Sequence, residues 1–223
     1  MKKTFRALSL LAIASLVTMA ANAGSTSLDV NAGAALEGSF GLEVIFASST
    51  GLAYVQDDTP NDEATYNAEY RLTVDGDNLQ IAVANDASSR HEVFRARNPA
   101  NLIRMEIHCR VAPGGPGTGN CGTGNDGQWR AKSYYRRDNN TWGFCGQVGF
   151  VPTGNTTYSV EWGQGTGAAD GFMRFFKNGD LVRECTGIDN DDRGVNTARL
   201  GAPGRVDTGT SGSSYMDSFV STR

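Results

Sequence analysis

The sequence predicts an all-β protein, a two-sheet antiparallel sandwich, on three observations. The first is strand-like alternation, cleanest at 66–74, where Tyr66, Ala68, Tyr70, Leu72 and Val74 are apolar and Asn67, Glu69, Arg71 and Thr73 are polar. A period of two buries one set and leaves the other in water. The second is Asn178-Gly179 between two short apolar runs, a hairpin signal because both central positions of a type I′ turn need positive φ. The third is that nothing after the first two dozen residues sustains a 3.6-residue period, so almost no helix is expected.

Those first residues have the layout of an export signal. Lys2, Lys3 and Arg6 precede the apolar run Ala7 to Ala20, and Ala21-Asn22-Ala23 stands before Gly24. This is a basic region, an apolar region and a small-x-small cleavage site, and the run is short for the ~20 residues of a membrane span. A signal peptide is therefore expected over 1–23 and a single domain over 24–223. Cleavage leaves 200 residues with 17 Lys and Arg against 24 Asp and Glu, a net charge of −7. That balance argues against a general nucleic-acid binder. No later run is long enough to span a bilayer, so a soluble, secreted or periplasmic chain is expected. In an oxidising compartment Cys109, Cys121, Cys145 and Cys185 read as two disulfides. A zinc site is disfavoured, because there is no Cys-x-x-Cys pair and neither histidine lies at finger spacing.

In chain order, Ser39 to Phe46 reads as an outer strand with Phe40, Leu42, Val44 and Phe46 on one face. Gln56 to Thr65 is rich in loop formers. Strand 66–74 turns at Asp75 to Asn78 into a strand Leu79 to Val83, and Val93-Phe94 suggests a short strand. From Leu102 to Val111, residues Ile103, Met105, Ile107, Cys109 and Val111 face the core, and Arg104, Glu106, His108 and Arg110 face away. The Gly/Pro-rich stretch 112–128 lacks the Gly-Lys-Ser/Thr ending of a phosphate loop and reads as a long hairpin loop. A Cys109–Cys121 bond inside it would close a small ring worth roughly 3 kcal/mol. Trp129 to Arg136 puts Trp129, Ala131, Ser133 and Tyr135 on one face and Arg130, Lys132, Tyr134 and Arg136 on the other. Asp138 to Asn140 turns the chain into 142–150, where Phe144, Val148 and Phe150 share a face and Cys145 points away. Tyr158, Val160 and Trp162 form the next strand. In the Asn178-Gly179 hairpin the expected pairs are Lys177 with Asp180, Phe175 with Val182 and Phe172 with Cys185, with Met173, Phe175 and Val182 toward the core. Four cysteines allow three connectivities; loop closure and face parity favour 109–121 with 145–185.

Several stretches resemble the laminin-G-like jelly rolls of the concanavalin A-like lectin/glucanase superfamily, bacterial secreted type. They are Ala35 to Leu42, Tyr54 to Pro60, Tyr66 to Leu72, Lys177-Asn178-Gly179, Thr186 to Asp191, Arg199 to Ala202, and Gly209 to Gly212 leading into Tyr215 to Phe219. The resemblance covers residues 35–223 and implies two antiparallel sheets with a curved face, in a group spanning lectins, binding modules, glucanases and adhesion domains. The glucanase signature Glu-x-Asp-x-x-Glu is missing, since no Glu here has Asp two residues later. A retaining hydrolase needs two carboxylates about 5–5.5 Å apart, which that signature provides. Strict alternation puts Asp217 on the same face as Tyr215 and Phe219, where an unpaired buried carboxylate must be neutralised or coordinated. Several jelly-roll binding modules with a similar terminal Tyr-x-Asp strand hold a structural Ca²⁺ there, so the resemblance implies calcium at Asp217, with Asp57-Asp58 or Asp189 to Asp192 as further donors. The alternative is a carboxylate satisfied by backbone N–H groups. No cofactor is otherwise expected.

The remaining chemistry is a two-strand face. If 102–111 and 129–136 pair, Arg104, Glu106, His108 and Arg110 lie beside Arg130, Lys132, Tyr134 and Arg136. Arg104, His108, Arg110, Arg130, Lys132 and Tyr134, with Trp142 at a rim, are the expected ligand-binding residues, cations for anionic sugar and rings for its apolar face. An ordinary solvated strand face, and a core role for Trp142, are the competing readings. His91 and His108 are the only histidines and there is no Gly-x-Ser-x-Gly elbow. The expected function is a non-catalytic binding module for a glycan. A structural or adhesive protein with a cell-envelope or other protein partner is the alternative, and a polysaccharide hydrolase or lyase comes third.

Overall fold

A computed structural model describes residues 26–47, 51–74, 79, 88–110, 129–149, 154–167 and 169–223. They form two packed antiparallel sheets. The strands are β1 (Ser27–Asn31), β2 (Gly41–Ala47), β3 (Ala53–Asp57), β4 (Thr65–Val74), β5 (Ser88–Asn98), β6 (Ala100–Arg110), β7 (Trp129–Arg136), β8 (Trp142–Gly149), β9 (Thr156–Gly163), β10 (Gly171–Lys177), β11 (Asp180–Ile188), β12 (Thr197–Ala202) and β13 (Ser211–Thr222). The first sheet runs β1-β2-β13-β4-β9-β10-β11 and the second β3-β12-β5-β6-β7-β8. The helical content among the described residues is one 3-10 turn, Ala32–Ala34.

The alternating strands behave as their pattern dictates. Tyr66, Ala68, Tyr70, Leu72 and Val74 of β4 and Tyr158, Val160 and Trp162 of β9 are buried against Phe94, Ile103, Met105, Ile107 and Trp129 of the facing sheet. Tyr70 of one sheet stacks on Phe94 of the other at 5.8 Å. Each such side chain contributes about 1.5–3 kcal/mol of burial.

Four expectations need correction. β2 is not an outer strand, because β1 pairs along its free edge, and Phe40 lies before the strand and is exposed. The short strand at Val93-Phe94 is the middle of an eleven-residue one. In β8 Phe144 is exposed and Cys145 buried, while Val148 still packs against the core. A register shift between Lys132 and Tyr134 of β7, with Gly146 at a positive φ of 98°, separates the two ends of the strand, so Phe144 and Val148 do not share a face. In the hairpin, Asn178 and Gly179 take positive φ (52° and 83°) and Lys177 pairs with Asp180, but a bulge at Val182 sets Phe175 opposite Arg183 and Met173 opposite Cys185. Met173 and Phe175 face the core, Val182 only packs against it, and Leu181 is exposed.

Cys145 and Cys185 are bonded, 40 residues apart in sequence and 5.9 Å between Cα atoms, tying the edge strands β8 and β11 of the two sheets. On the chain-entropy account such a ring contributes about 3–4 kcal/mol. The Cys145→Ala/Cys185→Ala double variant is expected to lose up to that amount in urea unfolding, and an unchanged midpoint would contradict it. The Cys109–Cys121 pairing, the signal peptide and the strand Leu79 to Val83, apart from the buried Leu79, lie outside the described residues.

Candidate functional site

The outer face of the second sheet carries a charged group that is largely buried. On β6 the alternate residues Arg104, Glu106 and His108 point away from the core, yet all three are buried, Glu106 completely. Two features put partners around them. On β5 the register steps from Glu92 opposite Glu106 to Phe94 opposite Met105, making Val93 an extra residue. Strict alternation would send Glu92 and Arg95 to opposite faces; the bulge turns both onto this one, where Arg95 Nε donates to Glu92 Oε2 at 2.6 Å. The second feature is the connection between β12 and β13. Glu92 N donates to Gly204 O at 2.9 Å, Arg90 N donates to Asp207 Oδ2 at 2.8 Å, and Arg205 takes a left-handed φ of 54°. A Cβ on Gly204 would meet Arg95 Nη2 at 1.9 Å, so any larger residue here would push the Arg95 guanidinium aside.

Glu106 is the hub. Its Oε1 lies 2.9 Å from Arg104 Nε and 3.2 Å from Arg205 Nη1, and its Oε2 lies 2.7 Å from His108 Nε2. Burial alone would raise this carboxyl, but the His108 hydrogen bond and the charges of Arg104, His108 and Arg205 outweigh it and hold it below the usual range. Glu92, across the strand, is instead pushed up by burial, with Arg95 opposing. Burial lowers His108 against the pull of Glu106, so its ring is neutral at neutral pH. An ionised Glu106 can only accept, which puts the ring proton on Nε2 and leaves Nδ1 without a partner among the described residues.

Above this layer lie aromatic rings. The Arg104 guanidinium sits 4.5 Å from the Tyr134 ring and 4.1 Å from Trp142, and Tyr134 meets Phe144 at 5.5 Å. Burial, and then the Glu106 charge, raise the Tyr134 phenol above its ordinary value; it keeps its proton at neutral pH.

The expected hairpin of β6 and β7 is present, with Arg104 opposite Tyr134, Glu106 opposite Lys132 and His108 opposite Arg130. Arg104, His108, Arg130, Lys132, Tyr134 and Trp142 therefore share one face. They divide into a buried layer, Arg104 and His108, and a half-buried one, Arg130, Lys132, Tyr134 and Trp142. Trp142 covers Arg104 and is no core residue. The side chain of Arg110 lies outside the described residues. Sequence reasoning missed Glu92, Arg95 and Arg205, and left Glu106 out of the binding set. The bulge and the loop that bring them together leave no periodic trace, although Gly204-Arg205 inside a Gly-rich connection was a visible hint.

Asp217, to which the resemblance assigns calcium, lies in β13. It is only half-buried, and its carboxylate accepts from Leu36 N (2.9 Å), Glu37 N (2.7 Å) and Ser218 N (2.6 Å). The premise of a buried, unpaired carboxylate does not hold, because a bulge in β13 after Asp217 breaks the assumed alternation. Among the described residues the carboxylates that come together are Asp138, Asp191 and Asp192, within 4.8 Å, and Asp138 already accepts from Asp191 N at 2.7 Å.

No protein-family model and no curated protein matches the sequence. Among solved structures, the endo-beta-1,4-glucuronan lyase from the fungus Trichoderma reesei aligns with a TM-score of 0.56 at 13% identity over 88% of this chain and 86% of its own. The cellulose induced protein Cip1 aligns with a TM-score of 0.57 at 12% identity over 89% and 86%. At such identities the likeness is one of fold. It supports the jelly-roll sandwich, while nothing found is specific to laminin-G domains. The expectation of a non-catalytic binding module is corrected, because these near full-length neighbours include a polysaccharide lyase.

Proposed function

We propose that this protein is an exported polysaccharide lyase that cleaves a uronic-acid polymer by β-elimination. The observation that carries the reading is Tyr134, a phenol held protonated at the surface of a cation-rich face and fixed from below by the buried Glu106–Arg104 pair. Elimination next to a uronate requires that the sugar carboxylate be neutralised, that the C5 proton be removed, and that the departing O4 receive a proton. Lys132 and Arg136, flanking Tyr134 on the same face of β7, supply positive charge for the carboxylate. The Tyr134 oxygen takes the C5 proton as it gives its own proton to O4, so that the C4–O4 bond breaks, the C5–H electrons form the C4=C5 double bond and the phenol is restored. Phe144 and Trp142 offer ring faces to the sugar. The neighbour named as a glucuronan lyase supports the assignment. The Cys145–Cys185 bond suits an oxidising compartment, and no helix among the described residues is long and apolar enough to cross a membrane.

The test is incubation of the purified protein with glucuronan, alginate, polygalacturonate and a neutral β-glucan. The expected result is ultraviolet absorbance from unsaturated uronate ends with at least one of the three acidic polymers and none with the neutral one. New reducing ends without that absorbance, or no cleavage of any uronate polymer, would overturn the reading.

A further inference from the structure

The registers of the second sheet place one residue from each of its six strands on a single line crossing the strands. Gln56 of β3 is opposite Arg199 of β12, Arg199 is opposite Arg95 of β5, and Arg95 is opposite Arg104 of β6. Arg104 is opposite Tyr134 of β7, and Tyr134 is opposite Phe144 of β8. Three consecutive members are arginines. Like charges directly opposite one another destabilise a sheet, so this row has a cost that something must offset. Arg104 has Glu106 and Arg95 has Glu92 as counter-charges. Arg199 has no carboxylate within ion-pair distance among the described residues: its Nε donates to the neutral Gln56 Oε1 at 2.6 Å and its guanidinium lies 4.2 Å from the Tyr54 ring. Burial, and after it the charges of Arg97 and Arg95, weaken its hold on its proton.

Adjacent strands are about 4.8 Å apart, close to the advance of one pyranose along an extended 1,4-linked chain. A uronate polymer laid across the strands therefore advances about one strand per sugar and reaches β12 only when it is long enough. We infer that Arg199 is a distal carboxylate subsite that binds a uronosyl unit over β12, at the far end of the row that starts at Tyr134 and passes Arg104 and Arg95. Arg104 lies buried beneath Trp142 and Arg95 is nearly buried, each neutralised by a glutamate, whereas Arg199 carries its charge with no carboxylate at ion-pair distance among the described residues. The row also fixes the direction of the glycan, perpendicular to the strands. It rests on the lyase reading for the position of the cut, but not for binding.

The test separates the two. Arg199→Gln is the variant to use, since replacing Arg95 would strand the buried Glu92. Arg174→Gln on the other sheet, where Arg174 pairs with Glu161 and Glu184, makes the same charge change away from the row. Binding of defined-length oligouronates is measured by calorimetry in the Tyr134→Phe background, where cleavage is slow on the timescale of the titration, and KM and kcat are measured with Tyr134 intact. Arg199→Gln is expected to weaken long oligouronates about tenfold, the loss of one charge-assisted hydrogen-bonding partner. It should also reduce the salt dependence of binding, raise KM with kcat nearly unchanged, and leave oligomers too short to reach β12 unaffected. Arg174→Gln should change none of these. Equal binding by Arg199→Gln and its parent, or an equal loss for short and long oligomers, would overturn the row. Length-dependent loss in a protein that cleaves nothing would keep the row and remove the lyase reading. A protein that binds no oligouronate of any length removes the row.

Discussion

Replacing Tyr134 by Phe is expected to lower the rate of unsaturated-uronate release by about 10²–10⁴-fold, the usual contribution of a positioned proton donor. The ring survives the change, and with it the contacts to Arg104 at 4.5 Å and to Phe144 at 5.5 Å. Because Tyr134 is half-buried on the outer face of its sheet, the melting temperature should hardly move, surface changes of this kind being worth under ~0.5 kcal/mol. The pH profile gives a second readout. A donor works while protonated, and burial together with the Glu106 charge raises the phenol above its ordinary value of 10. The loss of activity from its deprotonation therefore belongs above that pH, and the variant should lack this limb in whatever rate it retains. Near-parental activity in Tyr134→Phe would show that the proton comes from elsewhere.

Acid should destabilise this fold through His91, which faces the core. His91 is fully buried, with its ring 4.7 Å from Phe46 and neither nitrogen bonded among the described residues. Burial, and then the nearby His108, drop its pKa from 6.5 to about 3, against a weaker upward pull from Glu106. The folded state therefore binds this proton later than the unfolded chain. Stability from His91 is whole above about pH 6.5 and is lost progressively as the pH falls from there toward 3. At about 1.4 kcal/mol per unit, the full loss is about 5 kcal/mol. Glu106, held below its ordinary range, acts in the same direction at lower pH, as its stabilisation also disappears on protonation. Urea unfolding at a series of pH values measures the slope. His91→Leu, close in volume and unable to titrate, should flatten it between pH 6 and 4, and an undiminished slope in that variant would refute the assignment.

The legible part of the site was the β6–β7 face. Arg104, Glu106 and His108 alternate with Ile103, Met105 and Ile107, so their common side could be read from parity alone, and so could that of Arg130, Lys132 and Tyr134. What parity misread was their environment, since a face of alternating charges looks solvated. The structure buries it under the β12–β13 connection, turning a basic stripe into a layer of paired charges with Tyr134 and Trp142 on top.

The sequence by itself determined the all-β class, the strands with clean period two, the Asn178-Gly179 turn and the residue types of the working face, because these follow from local sterics and from burial of one side of each strand. The tertiary structure alone decided the rest. The bulges at Val93 and Val182 change which residues share a face, and a one-residue slip inverts a strand's faces, an effect no local pattern predicts. In β8 a register shift against β7 puts Phe144 outside while Val148 stays against the core. The alignment of Arg199, Arg95, Arg104 and Tyr134 depends on the registers of four strands spread from residue 95 to residue 199. Register is settled by packing across the whole sheet, and so this row became visible only once the sheet was assembled.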